Sequence, residues 1–113
     1  MPAVRAGLIV AALGALPGVA TAAGPVITEF ALPNAGSIPN GIAAGPDGNV
    51  WFAEYGGNRI GRITPAGVIT EFPVPTPDSL PNGIVTGPDK NLWFTEIAGN
   101  KIGRITTAGV ITE

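Results

Sequence analysis

PNGIAAGPDGNVWFAEYGGNRIGRIT, residues 39–64, returns as PNGIVTGPDKNLWFTEIAGNKIGRIT at residues 81–106. The likeness extends outward from this core. Residues 27–68 and 69–110 align without a gap and are identical at 27 of 42 positions, and Ile27-Thr28-Glu29 appears a third time as Ile111-Thr112-Glu113. A fixed period of this length marks an array built from one supersecondary unit, in which each copy buries its apolar face against the next.

Turn chemistry cuts the unit into four short strands. Ile42–Gly45 is the first, closed by Gly45-Pro46-Asp47-Gly48, where proline pre-sets φ and Asp-Gly favours a tight turn. Val50–Tyr55 is a β-favouring run with three aromatic residues, broken by Gly56-Gly57-Asn58. Arg59–Thr64 is the third strand, Pro65-Ala66-Gly67 turns the chain, and Val68–Val74 is the fourth. Outside the N-terminal segment, no window carries apolar residues at helical spacing. Four strands in about 42 residues make one blade of an all-β propeller. A solenoid is the alternative at this period, although solenoid repeats usually carry helices or run shorter.

The expected layout is an outer closing strand at 26–31, blade one at 38–74 and blade two at 80–113, together a partial propeller over 23–113. Two blades fall short of the roughly 4–8 that close a ring, and would leave apolar blade faces and strand edges uncovered. Either the chain is part of a longer protein or copies associate to complete the ring.

Residues 1–22 read as an address rather than structure. Arg5 supplies a positive n-region, Ala6–Val19 is an apolar run containing Pro17, and Ala20-Thr21-Ala22 matches the small-x-small site of a signal peptidase. A transmembrane helix is the competing reading, but the run is shorter than the roughly 20 apolar residues a span needs. Cleavage after Ala22, or next after Ala23, predicts a secreted or periplasmic protein with no stable membrane span.

Composition narrows the chemistry. The chain of 113 residues has 12 Pro and 17 Gly, a formal net charge of −2, and neither cysteine nor histidine. Disulfides, thiolate metal sites and Ser-His or Cys-His nucleophilic devices are therefore excluded within it. Its two serines are Ser37 and Ser79. Lacking a basic patch or a glycine-rich phosphate loop, it offers nothing to nucleic acid.

Propeller geometry predicts which residues share a face. With the first strand innermost, Asn40 and Asn82 fall at the top entrance of the central channel, and Glu54, Glu96, Tyr55, Asn58 and Asn100 fall near the same face. That face would receive a small-molecule or peptide ligand. Asp47 and Asp89 lie at the opposite end as turn formers. Each candidate has a plainer role: Asn40 and Asn82 precede glycine and suit a local turn, while Glu54 and Glu96 recur in both units and suit scaffold pairing with Arg62 or Arg104. Trp51 and Trp93 suit packing between blades.

The combined text P-N-G-I, W-F-x-E and N-(R/K)-I-G-R-I resembles the blade repeat of the streptogramin B (virginiamycin B) lyases, over residues 26–113. The resemblance implies a seven-bladed ring and a Mg²⁺-dependent carbon–oxygen lyase that opens a cyclic depsipeptide antibiotic by elimination across its ester. It also implies a catalytic histidine after the proline of a P-H-(G/A)-I segment. Asn40 and Asn82 occupy the matching positions here, and an amide cannot serve as general base. The resemblance thus predicts no catalytic residue within these two blades, and leaves Glu54 and Glu96 as the repeated carboxylates available to a metal. A non-catalytic extracytoplasmic binding propeller is the other reading.

Overall fold

Each predicted turn closes on itself by backbone hydrogen bonds. Gly45 N–H donates to the Asn49 carbonyl at 2.8 Å and Thr64 N–H to that of Val68 at 2.9 Å, with Gly87–Asn91 and Thr106–Val110 as their counterparts one period on. Between these turns the computed structural model, which describes residues 24–113, forms β1 (Pro39–Ala44), β2 (Val50–Glu54), β3 (Arg59–Ile63), β4 (Ile69–Pro73), β5 (Pro81–Thr86), β6 (Leu92–Glu96), β7 (Lys101–Ile105) and β8 (Ile111–Thr112). They make two antiparallel up-and-down sheets, β1-β2-β3-β4 and β5-β6-β7-β8. The all-β, four-strands-per-repeat architecture is the predicted one. The inner strands begin three residues earlier than expected, at Pro39 and Pro81, because Pro39 pairs with Glu54 and Pro81 with Glu96.

The expected signal peptide lies outside the described residues. The chain divides into two units at Ala31/Leu32; the described part of the first, 24–31, contains no strand, and the second holds all eight. Among the described residues no helix is long and apolar enough to cross a membrane.

Alternation gives each sheet two faces. In blade one, Ala43, Trp51, Ala53, Ile60 and Phe72 share one face, and Ile42, Phe52, Gly61 and Glu71 share the other. The first face packs on the second blade, so that Trp51, Ala53, Ile60, Val74, Ile84, Leu92, Phe94 and Ile105 form one buried cluster. Gly41 permits the close approach of β1 to β5: a Cβ there would strike the Asn82 carbonyl and the Gly83 backbone. Gly61 and Gly103 are required for a different reason, since a side chain at either would enter the ring of Phe52 or Phe94.

The tryptophans are held at both ends. The Trp51 indole N–H donates to Asp47 Oδ1 at 3.0 Å, and its ring stacks on Phe72 with centroids 5.7 Å apart. Arg62 lies 5.5 Å above the Trp51 ring and 5.4 Å from that of Phe72, while its Nη1 donates to the Thr107 carbonyl of blade two at 3.1 Å. Trp93, Asp89 and Arg104 repeat the device, with an indole hydrogen bond of 2.8 Å and a cation–ring distance of 5.6 Å. Asp47 and Asp89 are therefore tryptophan acceptors as well as turn formers. The Trp93 and Asn91 hydrogen bonds hold the Asp89 carboxyl down at about 2.

Candidate functional site

Register brings the predicted top-face residues to one end of each sheet. Pro39 pairs with Glu54, Glu54 with Arg59 and Arg59 with Pro73, so Asn40, Glu54, Tyr55 and Asn58 share an end, opposite the turn that carries Asp47. In blade two, Asn82, Glu96 and Asn100 repeat the placement.

Asn40 and Asn82 sit in β-bulges. Pairing skips between Pro39 and Ile42, and again between Pro81 and Ile84, leaving Asn-Gly as the irregular pair in each inner strand. A bulge re-aims a side chain and is a common device beside binding sites. The residue before each Pro-Asn-Gly is strained: Ile38 and Leu80 have φ of 46° and 54°, a region costly to residues with bulky side chains. Asn40 is exposed and Asn82 half-buried, so both have side chains within reach of solvent at the inner strand.

Asn58 is consumed by structure. Its φ is 55°, its Nδ2 donates to the carbonyls of Val74 (3.4 Å) and Thr76 (2.9 Å), and its Oδ1 accepts from the Ser79 N–H (3.0 Å) and hydroxyl (2.8 Å). Every polar valence of the side chain is occupied in stapling the β2–β3 hairpin to the linker between blades. Asn100 has the same left-handed φ of 53° but is exposed, and lines a cavity of about 320 Å³ with Glu96 and Lys101. Tyr55 is half-buried, and its N–H bonds the Ile38 carbonyl at 3.0 Å.

Glu54 and Glu96 are the least expected features, being 0% and 2% exposed. The scaffold partner of Glu54 is Arg59, at 3.4 Å, and not Arg62, which is spent on the Trp51 and Phe72 rings; Arg104 pairs with Asp89 at 3.6 Å. The Arg59 Nε also stands 3.5 Å from Glu71, so one guanidinium serves two carboxyls. Glu71 sits opposite Gly61 on the face of Phe52 and Glu54, which sets the two carboxyls against each other. Glu96 and Glu113 repeat this pair seventeen residues apart, as Glu54 and Glu71 are, with Lys101 at 3.9 Å in the role of Arg59.

No N–H or hydroxyl donor reaches Glu54 Oε2, Glu71 Oε2 or either oxygen of Glu96. The Ser79 hydroxyl beside Glu96 already donates to Asn58. Burial, then the hydrogen bond and charge of the facing Glu71, push the Glu54 carboxyl above the usual range. Burial and Glu113 push Glu96 up to about 7. The physical solution is a proton shared within each pair, which supplies the missing donor and removes one of two adjacent charges.

This arrangement does not suit Glu54 and Glu96 as ligands for Mg²⁺. Each is turned into its own blade toward a second carboxyl and a cation, and among the described residues no group of three or more His, Cys, Asp or Glu side chains gathers to hold an ion. A hard divalent cation requires about six oxygen ligands in an open cage. No step is derived through a metal in these blades.

Residues 17–113 match the profile described as the Virginiamycin B lyase family. The chain belongs to that family. The virginiamycin B lyase of Bacillus licheniformis is 52% identical over 41 residues, 36% of this chain and 14% of that protein. A crystal structure of virginiamycin B lyase from Staphylococcus aureus superposes with a TM-score of 0.73 at 59% identity, covering 74% of this chain and 28% of that one. A catalytically inactive variant of the Staphylococcus aureus lyase, solved with quinupristin, gives a TM-score of 0.78 at 56% identity over 80% and 31% of the two chains. The chain thus spans less than a third of these lyases, as two of their blades.

Reading the sequence missed the second carboxylate of each pair, Glu71 and Glu113, and the buried serines. A signal was present: Ile-Thr-Glu occurs three times, and Ser37 and Ser79 are one period apart. What register adds is that Thr-Glu-Phe of β4 faces Gly61 of β3, bringing Glu71 to the face that holds Glu54.

Proposed function

We propose that this chain supplies two scaffold blades of an exported virginiamycin B lyase-type propeller acting on a cyclic depsipeptide of the streptogramin B class. In that reaction a base removes a proton beside the ester, the carbon–oxygen bond breaks, and the ring opens to an alkene and a carboxylic acid without adding water. The supporting observation is the bulged Asn-Gly at the head of each inner strand. Asn40 and Asn82 stand where the resemblance places the catalytic histidine, at an irregularity in the inner strand of each blade. An amide there can donate to and accept from a depsipeptide carbonyl or N–H but cannot take its proton. Binding a peptide ligand at the top face is accordingly the role assigned to Asn40, Asn82 and Asn100, with catalysis and the Mg²⁺ that the resemblance implies assigned to other blades of the ring.

The test is the product mass after incubation with quinupristin and Mg²⁺. The 113-residue chain is expected to leave the antibiotic intact. A ring-length protein containing these blades is expected to yield a linear product of unchanged mass, whereas hydrolysis would add one water. A product that gains water, or an intact antibiotic after incubation with the folded ring, refutes the lyase reading. The second reading, a non-catalytic binding propeller, is favoured by the same two asparagines, and predicts saturable quinupristin or peptide binding with no turnover even by the complete ring.

A further inference from the structure

Asparagine precedes glycine at two places in the chain, Asn40-Gly41 and Asn82-Gly83, one period apart. Such a pair carries its own reagents. The side-chain carbonyl carbon of asparagine is an electrophile, and glycine, having no side chain, leaves its backbone nitrogen able to turn toward that carbon. A regular strand ladder prevents the encounter by holding the peptide extended. Here pairing skips from Pro39↔Glu54 to Ile42↔Phe52 and from Pro81↔Glu96 to Ile84↔Phe94. Each Asn-Gly therefore lies out of register opposite a single residue, Ala53 in β2 or Thr95 in β6. Packing keeps glycine in the first pair, since a Cβ at Gly41 would strike the Asn82 carbonyl. Both asparagine side chains reach solvent, so access to water does not separate the two sites. The residue across the bulge does. Gly83 N–H donates to the Thr95 hydroxyl at 3.0 Å, whereas Ala53 has no hydroxyl to offer Gly41.

From this we infer that Asn40 is a site of spontaneous deamidation, and that the Thr95 hydroxyl shields Asn82 from the same reaction. Solvent hydroxide takes the proton of the Gly41 backbone N–H, and the nitrogen attacks Asn40 Cγ. A new N–C bond closes a cyclic imide, the Cγ–Nδ2 bond breaks, and ammonia leaves with a proton from water. Water then opens the imide at either carbonyl. Cleavage of the bond to Cγ gives aspartate in an unchanged main chain. Cleavage at the main-chain carbonyl gives isoaspartate, whose backbone runs through the side-chain carbons and is one carbon longer. No oxidant or reductant enters. At the second site the Gly83 N–H must first give up its hydrogen bond to Thr95 before the nitrogen can turn toward Asn82 Cγ. The product adds a negative charge to a chain already net negative, and replaces an amide that donates and accepts with a carboxylate that only accepts. The inference does not rest on the lyase reading, and the contrast lies inside each blade, between β1 and β2 and between β5 and β6.

The experiment is incubation of the full 113-residue chain at mildly alkaline pH, native and in urea, followed by peptide mass spectrometry. Cleavage after arginine and lysine puts Asn40 and Asn82 on separate peptides, so the gain in mass from amide to acid is read at each site. In urea the two sites are expected to convert at similar rates, because Pro-Asn-Gly-Ile surrounds both. In the native chain Asn40 is expected to convert several-fold faster than Asn82. Thr95→Ala, at an exposed position, is expected to raise the Asn82 rate to that of Asn40 and leave Asn40 unchanged. Thr95→Ser, which keeps the hydroxyl, should behave as the wild type. Equal native rates, an Asn40 that stays intact while the urea-treated chain converts, or an Asn82 rate indifferent to Thr95→Ala overturns the inference. If Thr95→Ala raises both rates the fold has been lost, and Thr95→Val is read in its place.

Discussion

Replacing Glu96 by glutamine should make the protein more stable at pH 8 and leave it little changed at pH 5. The carboxyl is 2% exposed, faces Glu113, and is pushed from an ordinary 4.5 to about 7. At about 1.36 kcal/mol for each pH unit, that rise is worth about 3 kcal/mol of preference for the protonated form. The sign follows from linkage. A group whose pKa is raised on folding contributes stability that is fully present below its unfolded pKa, near 4.5, and is lost as pH rises through 7. Glu113 is shifted the other way, held down by its hydrogen bond to Glu96, and its stabilising contribution is lost only as pH falls below about 4.5, outside this window. A net decline of about 1–3 kcal/mol between pH 4.5 and 7 remains for the pair. Glutamine donates an N–H to Glu113 at every pH and carries no charge, so it should abolish this decline. Glu54 is raised for the same reasons and should leave a residual slope in the variant. Thermal unfolding of both proteins at half-unit pH intervals measures the difference, at about 4–8 °C in Tm per kcal/mol for a domain of this size. Parallel stability curves for wild type and Glu96→Gln, or a variant less stable at pH 8, would refute the shared proton.

Asn58→Ala should cost about 2–3 kcal/mol, because it strands the Ser79 N–H and hydroxyl in a buried linker, whereas the exposed Asn100→Ala should cost under about 1 kcal/mol; denaturant midpoints compare them. Trp51→Ala should destabilise by about 3–5 kcal/mol, and Trp93→Ala by clearly less, since the first tryptophan is fully buried and the second is not. Gly41→Ala should disrupt the packing of the inner strands, because the added methyl meets the Asn82 carbonyl, while Gly83→Ala, with only the Thr95 hydroxyl at 3.5 Å, should be mild; thermal melts of the two resolve this. Asp47→Ala removes both the turn acceptor and the Trp51 indole acceptor, with an expected loss of about 1–2 kcal/mol and a change in tryptophan emission.

Much of the fold was legible because the repeat repeats its punctuation. Gly-Pro-Asp, Gly-Asn and Ala-Gly each demand a turn whatever surrounds them, so the strands between them could be placed to within a few residues. The inner strand was the exception. Pro39-Asn40-Gly41 reads as a turn by local rules and is instead a bulged strand start, because Pro39 has Glu54 to pair with. The site was less legible. Asn58 and Asn100 are the same residue in the same local text, yet one is a half-buried staple and the other an exposed cavity wall; local sequence cannot distinguish them.

The sequence by itself determined the unit of construction: the period, the four strands, the tryptophan on the second and the absence of histidine. These depend on turn chemistry and alternation, which act over a few residues. Only the tertiary structure decided the fate of the polar groups. Glu54 and Glu71 meet across a glycine, Arg59 rather than Arg62 serves them, and Ile42 and Ile84 differ in burial despite their equivalence. Burial and charge pairing depend on what packs against a residue from far away in the chain, and residues repeated in both copies cannot say which copy has a neighbour.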